Sequence, residues 1–410
     1  MSGAGWRGGR ARPTCSPVGA GSSSRSFPGD AEGWSGSTPS RRSPTRSRRR
    51  RWAWSIPWRR RRRKTRFPPP RLTETTDTMR AVRYEGPEKG VVVDRSAKEP
   101  ACAPGEALLR PRRVAISSTD LDLCSGARRS PPLTLGHEFV AVVERTSPLA
   151  DQKERARALQ GKRVVGTIAT ACAECDLCTA GLSAHCRRRT VLGVDGRDGC
   201  FADLFTLPIA NLHPVPEGVD DERAVFAELL ASAHHAVRML RIAGKPFVTV
   251  LGDNAMGLLC AQLMAGLNAS VRIVGRHEHK MEIAGKWGVK HRALSDIGLR
   301  ADQDVVVDCT GTPEGLTTAM ALARPRAKVL LKGSLLPGRG ESRIDLSPIV
   351  QKELEILGSR SGPLAEGLDL LARDAVDVVS LITRRTRLDD APAALRIAAD
   401  PAQIKVVMEG

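Results

Sequence analysis

The sequence predicts an α/β plus mostly-β chain: an irregular β-rich half, then a doubly wound parallel sheet. Three observations predict it. From Phe247 onward apolar strands alternate with helical stretches, the rhythm of a parallel sheet covered by helices. From Met79 to about Pro216 short β-branched runs are cut apart by Pro and Gly, the pattern of brief strands joined by turns. Within that half, Cys172, Cys175, Cys178 and Cys186 follow the spacing C-x2-C-x2-C-x7-C, too tight for useful disulfides but suited to enclosing a metal. A length of 410 residues leaves room for two domains with full cores.

The chain opens on a basic leader. Residues 1–78 carry 19 Lys+Arg against 4 Asp+Glu, leaving 45 basic and 41 acidic residues to the rest, so the formal charge of +19 belongs mainly to the leader. The body is therefore not a basic nucleic-acid binder. The leader is rich in Gly, Ser, Pro and Arg, holds five of the six tryptophans, and is expected to be disordered. Two readings stay open: an Arg/Trp segment that binds nucleic acid or an anionic membrane surface, or a translated non-coding stretch upstream of a true start at Met79. No apolar run follows the arginines as a secretory signal would require, and no run of 18 apolar residues occurs. Outside the four-cysteine group the thiols are scattered (Cys15, Cys102, Cys124, Cys200, Cys260, Cys309), which suits a reducing, cytoplasmic setting.

In the β half the expected strands are the runs beginning at Arg80, Gly90, Glu106, Phe139, Lys162 and Ala202. A helix is expected from Asp220 to Leu240, where Ala, Glu and Leu recur at helical spacing. In the second half strands are expected at 247–252, 270–275, 304–311 and 327–333. Helices are expected at 257–267, 280–287 and 313–323. The near-continuous Val, Ile and Leu of these strands signals burial on both faces. A helix from Leu364 to Arg373 and a strand at Ile404–Met408 close the chain, the tail returning to the first domain.

Gly252-Asp253-Asn254-Ala255-Met256-Gly257 stands after a strand and opens a helix, the place of a dinucleotide-binding turn, with Asn254 where the middle glycine of G-x-G-x-x-G belongs. Asn tolerates positive φ better than most residues, which limits the damage. At the end of the second strand Gly275-Arg276-His277 offers no carboxylate for a ribose 2′-hydroxyl; Arg276, with Lys280 adding charge, argues for a 2′-phosphate and so for NADP rather than NAD. Thr310-Gly311 and Gly333-Ser334, at the carboxyl ends of later strands, are placed to line the nicotinamide half. The four thiolates suit one structural zinc; an iron–sulfur cluster is the rival, disfavoured by the long last gap and the absence of a following proline.

Leu135-Gly136-His137-Glu138-Phe139 lies downstream of Ser117-Ser118-Thr119-Asp120. With the cysteine group and the doubly wound half, this chain closely resembles the zinc-containing alcohol dehydrogenases of the medium-chain dehydrogenase/reductase superfamily, from Met79 to Gly410. The resemblance implies a GroES-like catalytic domain over 79–218 and 362–410 and a Rossmann domain over 219–361. It implies a structural zinc on the four cysteines and a catalytic zinc on His137, Glu138 and Glu228. Ser117 takes the place of the family's cysteine ligand and is a poor ligand because its hydroxyl stays protonated near pH 7. Cys124 is the nearest alternative thiol, though a structural role suits it better, and Leu229 replaces a proline common in relatives.

By the same resemblance Thr119 relays the alcohol proton and Asp120 hydrogen-bonds the imidazole of His137. The activity implied is zinc-dependent hydride transfer between NADP(H) and an alcohol or its carbonyl. Two alternatives are an enzyme of the quinone-reductase type without catalytic zinc and a non-catalytic NADP-binding regulator. A homodimer or homotetramer joined near Leu354–Gly358 is expected, with a small-molecule alcohol, aldehyde or ketone as partner. No membrane partner is expected, and nucleic acid only if the leader is genuine.

Overall fold

Strands buried on both faces need helices above and below, and this requirement shapes the second half of the chain. In the computed structural model, which describes residues 78–128, 130–333 and 343–410, six parallel strands form one sheet. Their spatial order is Lys290–Ala293, Ser270–Gly275, Phe247–Leu251, Gln303–Asp308, Ala323–Leu331 and Glu355–Gly358. Strand order therefore reverses between Phe247–Leu251 and Gln303–Asp308, the crevice where ligands bind in such sheets. Val248, Val250, Ile273, Val307 and Leu330 are buried among the helix residues Leu258, Leu259, Met264 and Met281.

The β half forms a sheet in the order Leu212–Pro214, Arg163–Gly166, Glu138–Ser147, Glu106–Ala115, Lys405–Glu409 and Ile382–Arg387, with Phe205–Pro208 also paired to Glu106–Ala115. Its core holds Phe139 edge-on to Phe205, ring centroids 4.9 Å apart. The C-terminal strand pairs antiparallel with Glu106–Ala115, Val407 opposite Ala115, so the tail does return to the first sheet. It does so only at Ile382. The helix Leu364–Ala372 packs instead on the helix Ala227–Met239, so closely that a Cβ on Gly367 would lie 2.5 Å from the carbonyl oxygen of Ala227.

Other expectations shift in detail. The helix foreseen from Asp220 to Leu240 is two, Asp221–Ala224 and Ala227–Met239, broken at Val225 and Phe226. The polar stretch at Ser117 opens a helix, Ser118–Cys124, and a helix at Lys153–Leu159 went unforeseen because only Ala156 and Leu159 are buried in it. Residues 1–77 of the basic leader and Ser334 lie outside the described residues. Among the described residues no helix is long and apolar enough to cross a membrane.

Candidate active site

The site is a cleft of about 860 Å³ running from the carboxyl ends of the parallel strands to the β half. On one side it is lined by Ser117, Thr119, His137 and Glu228; on the other by Gly252, Asn254, Gly275, Arg276, Thr310, Gly311, Lys332 and Gly333. Two of the expected groups, one for a cofactor and one for a reacting alcohol, thus face a single space.

The cofactor side is built by tight backbone. Gly252 has φ +107°, and a Cβ on Gly257 would lie 1.9 Å from the carbonyl oxygen of Gly252. A Cβ on Gly333 would lie 2.2 Å from the amide nitrogen of Gly311, itself at φ +67°. These glycines keep the strand ends open for a ligand to approach backbone, and the residues fit a dinucleotide.

Asn254 fits for a reason other than the one expected. Its φ is −85°, so no left-handed tolerance is used; its side chain caps the helix Ala255–Ala265 by accepting from the Gly257 amide (3.0 Å) while donating to the Cys309 carbonyl (2.8 Å). Thr310 is fixed by its hydroxyl, 2.6 Å from Asp308 Oδ1.

The end of the second strand differs from expectation. Asp253, in the glycine turn, reaches across to accept from the amides of Arg276 (2.8 Å) and His277 (2.7 Å), with His277 Nδ1 at 3.0 Å. Burial opposes ionisation, but those amides and Lys280 hold the Asp253 carboxyl below its usual value. Lys280 is buried, 3.3 Å from Asp253 and 2.6 Å from the Pro401 carbonyl. Its charge is therefore neutralised in place and does not add to that of Arg276, which is exposed on the cleft.

The alcohol side rests on Gly136. It sits at φ +92°, with Phe201 where a Cβ would stand (2.1 Å), and this tight turn carries His137 to the cleft. Asp120 is fully buried, accepting from the amides of Ser117 (2.8 Å) and Gly136 (3.3 Å). His137 Nδ1 lies 3.6 Å from Asp120 Oδ1, beyond hydrogen-bond length, and is buried without another partner. Burial works against the protonated ring, yet the Asp120 charge raises the His137 pKa to about 9.

Ser117 and Glu138 are otherwise engaged. The Ser117 oxygen accepts from the amides of Thr119 (3.1 Å) and Asp120 (3.3 Å) in a capping box. Both lone pairs are thereby used, and what the hydroxyl retains for the cleft is its donor proton. Glu138 is 1% exposed and bound to Lys405, Nζ to Oε2 2.6 Å. Of the three expected ligands, His137 and Glu228 line the cleft. Among the described residues the one group of three or more His, Cys, Asp or Glu whose ligand atoms lie within 4.8 Å of one another is the four cysteines. The ligand atoms of His137, Glu138 and Glu228 do not all lie within 4.8 Å of one another here, and Glu138 is held by Lys405. Cys124 does not join His137 and Glu228 in a group of close ligand atoms, and burial pushes its thiol up to about 11.

The cysteine lobe does fit a metal. Cys172 and Cys178 sulfurs are 4.0 Å apart, Cys175 and Cys178 3.5 Å, Cys175 and Cys186 3.8 Å, and Cys186 and Cys172 3.5 Å. A tetrahedron with zinc–sulfur bonds of about 2.3 Å has edges of about 3.8 Å. Backbone amides near Cys172, that of Glu174 first, lower its pKa to about 6. A four-iron cluster, larger than one ion, would hold the sulfurs further apart.

Sequence reasoning missed several groups. Lys332, on the cleft after the strand Ala323–Leu331, donates to Ser232 Oγ (2.8 Å) and to the Arg360 carbonyl. Burial lowers its pKa. A lysine ending the apolar run Val329–Leu331 was the available signal. Lys405, at the head of the apolar run Val406–Met408, was a second.

Comparison with known proteins agrees with this architecture. Residues 103–217 match the alcohol dehydrogenase GroES-like domain and residues 255–373 the zinc-binding dehydrogenase domain. The chain is 31% identical over 353 residues to an L-threonine 3-dehydrogenase of Streptomyces avermitilis, covering 81% of this chain and 99% of that one. It is 29% identical to a 2-dehydro-3-deoxy-L-galactonate 5-dehydrogenase of Pseudoalteromonas atlantica, covering 81% and 98%. A zinc-binding dehydrogenase of Sinorhizobium meliloti 1021, solved with NADP, superposes with a TM-score of 0.73 at 29% identity, covering 82% and 100%. The chain belongs to the zinc-binding alcohol dehydrogenases of the medium-chain dehydrogenase/reductase superfamily, and is an oxidoreductase of that type.

Proposed function

We propose that the cleft serves hydride transfer between NADP(H) and a secondary alcohol or its ketone. The observation that carries this is the single space shared by the glycine cradle and the Ser117, Thr119, His137 and Glu228 group. The named substrates of the two relatives above, L-threonine and a galactonate, are hydroxy acids, which supports a hydroxyl-bearing carbon as the reacting centre. Bound nicotinamide supplies the hydride acceptor or donor. On this reading the nicotinamide lies over the ends of Gln303–Asp308 and Ala323–Leu331 and the adenosine near Arg276, as strand order at a topological switch point supports.

The chain's own groups supply the rest. Negative charge on the substrate oxygen needs a positive or donating partner. Lys332, beside the nicotinamide end, offers a cation, while Ser117 and Thr119 offer hydroxyls from which a proton can pass. NADP is favoured because the Arg276 side chain is exposed to the cleft while the neighbouring carboxylate, Asp253, is neutralised by Lys280. Arg276→Ala is expected to weaken NADP binding about 10- to 100-fold, the loss of one or two charge-assisted bonds, and to leave NAD binding unchanged. Preference of the unaltered protein for NAD overturns the assignment.

No step is routed through a catalytic metal, and we expect one zinc per chain, on the cysteines. A second reading, with zinc on His137 and Glu228, is favoured by Asp120 standing behind the His137 ring as carboxylates stand behind ligating histidines. Elemental analysis of the purified chain separates the two: two zinc ions per chain support the second.

A further inference from the structure

Three arginines from separate segments meet at the alcohol end of the cleft. Arg128 follows the helix Ser118–Cys124, Arg189 follows the last cysteine of the lobe, and Arg360 follows the strand Glu355–Gly358; all three line the cleft with Ser117 and His137. Arg360 is anchored by Nη1 to the Ala184 carbonyl (2.9 Å), and Arg189 by Nη1 to the Cys186 carbonyl (3.2 Å). The Nε–H groups of Arg128 and Arg189 are buried with no acceptor, and among the described residues none of the three guanidinium groups makes an ion pair. They also crowd one another. Burial first, then the charges of Arg189 and Arg128, hold the Arg360 pKa below its usual value, with Glu228 the one acid opposing.

Three like charges with a single acid, Glu228, opposing them raise the energy of the empty site, and an anion relieves both the repulsion and the orphaned donors. The cofactor's phosphates do not account for them, since the cradle and Arg276 lie at the other end of the cleft. We infer that Arg128, Arg189 and Arg360 form a binding subsite for an anionic group, carboxylate or phosphate, carried by the substrate several bonds from the reacting carbon. This rests on the hydride-transfer reading for the identity of the cleft, but the subsite itself does not need turnover. The arginines act as a fixed fork that binds and orients; Lys332 and Ser117 remain with the reacting oxygen.

The test is calorimetric binding of glycerol, glycerate and glycerol 3-phosphate to the full chain saturated with NADP. Glycerate or glycerol 3-phosphate is expected to bind at least 10-fold tighter than glycerol, and whichever is tighter identifies carboxylate or phosphate as the group. Arg128→Gln with Arg189→Gln should remove that advantage, Arg128→Lys with Arg189→Lys should retain part of it, and all variants should bind NADP as the parent does. Anions binding no tighter than glycerol, or equally in the Gln variant, overturn the subsite. So does anion binding seen only without NADP, which would assign the arginines to the cofactor's phosphates. If the anions bind as expected but no hydroxy acid or sugar phosphate is oxidised, the subsite stands and the hydride-transfer reading fails.

Discussion

Lys405→Met probes the junction that keeps Glu138 out of the cleft. Glu138 and Lys405 are 1% and 4% exposed, and their 2.6 Å contact is supplemented only by a 3.2 Å bond from Nζ to the Ile116 carbonyl. Removing the ammonium leaves a buried carboxylate without its counter-charge, a change that costs about 3–5 kcal/mol. The loss must depend on pH. Burial raises the Glu138 pKa above the usual carboxylate value even with Lys405 and His137 pulling it down, and loss of Lys405 raises it further. Between the unfolded and folded pKa values the native state holds more protons, so stability falls as pH rises through that window and recovers on its acid side.

Urea denaturation followed by circular dichroism at pH 8 and pH 5 should therefore show the full penalty at pH 8 and a smaller one at pH 5, each relative to the parent at the same pH. Adding Glu138→Leu removes the stranded charge, and the double variant should return to parental stability or exceed it. Equal stability of Lys405→Met and the parent, or an equal loss at both pH values, refutes the buried ion pair.

Two further outcomes follow from the site. Cys178→Ser removes one of four thiolates, and zinc per chain should fall from one to none, with new proteolytic cleavage confined to residues 171–187; retained zinc would point to a different ligand set. Lys332→Met should lower kcat about 10²- to 10³-fold, the usual cost of losing one preorganised charge stabiliser, with NADP affinity little changed. Because burial lowers the Lys332 pKa, the parent's kcat should decline on the alkaline side below the pH of an ordinary lysine, a limb that the variant lacks.

Local chemistry made much of the fold legible. Strands buried on both faces read as unbroken Val and Ile, so Phe247–Leu251, Ser270–Gly275 and Gln303–Asp308 stood out, and the glycine turn marked the cofactor edge. Four cysteines close in sequence can hardly avoid meeting in space. Pairings across long sequence distances were not legible. Lys405 reaches Glu138 only because the last strand lies beside Glu106–Ala115, and Asp253 supplies from the first turn the carboxylate missing at the second strand's end. The arginines meet from three loops that no periodicity connects. A list of residue types at a site thus names its candidates but not their engagements.

Ser117 shows why that difference matters chemically. A ligand needs a lone pair and a cap needs one as well; a thiolate beside a metal can serve the metal while leaving the helix end to Asp120. A hydroxyl here gives both lone pairs to the amides of Thr119 and Asp120, and Asp120 completes the box by accepting from the Ser117 amide. Substitution of an N-cap serine typically costs about 1 kcal/mol, so releasing Ser117 to bind zinc would weaken the helix while gaining only a neutral, weakly coordinating oxygen. In its capped state the same residue lines the cleft and keeps its O–H as a donor. On the proposed function, a hydroxyl donor stands where the resemblance implies a metal ligand, and stabilising charge on the substrate oxygen falls to groups such as Lys332 that line the same space.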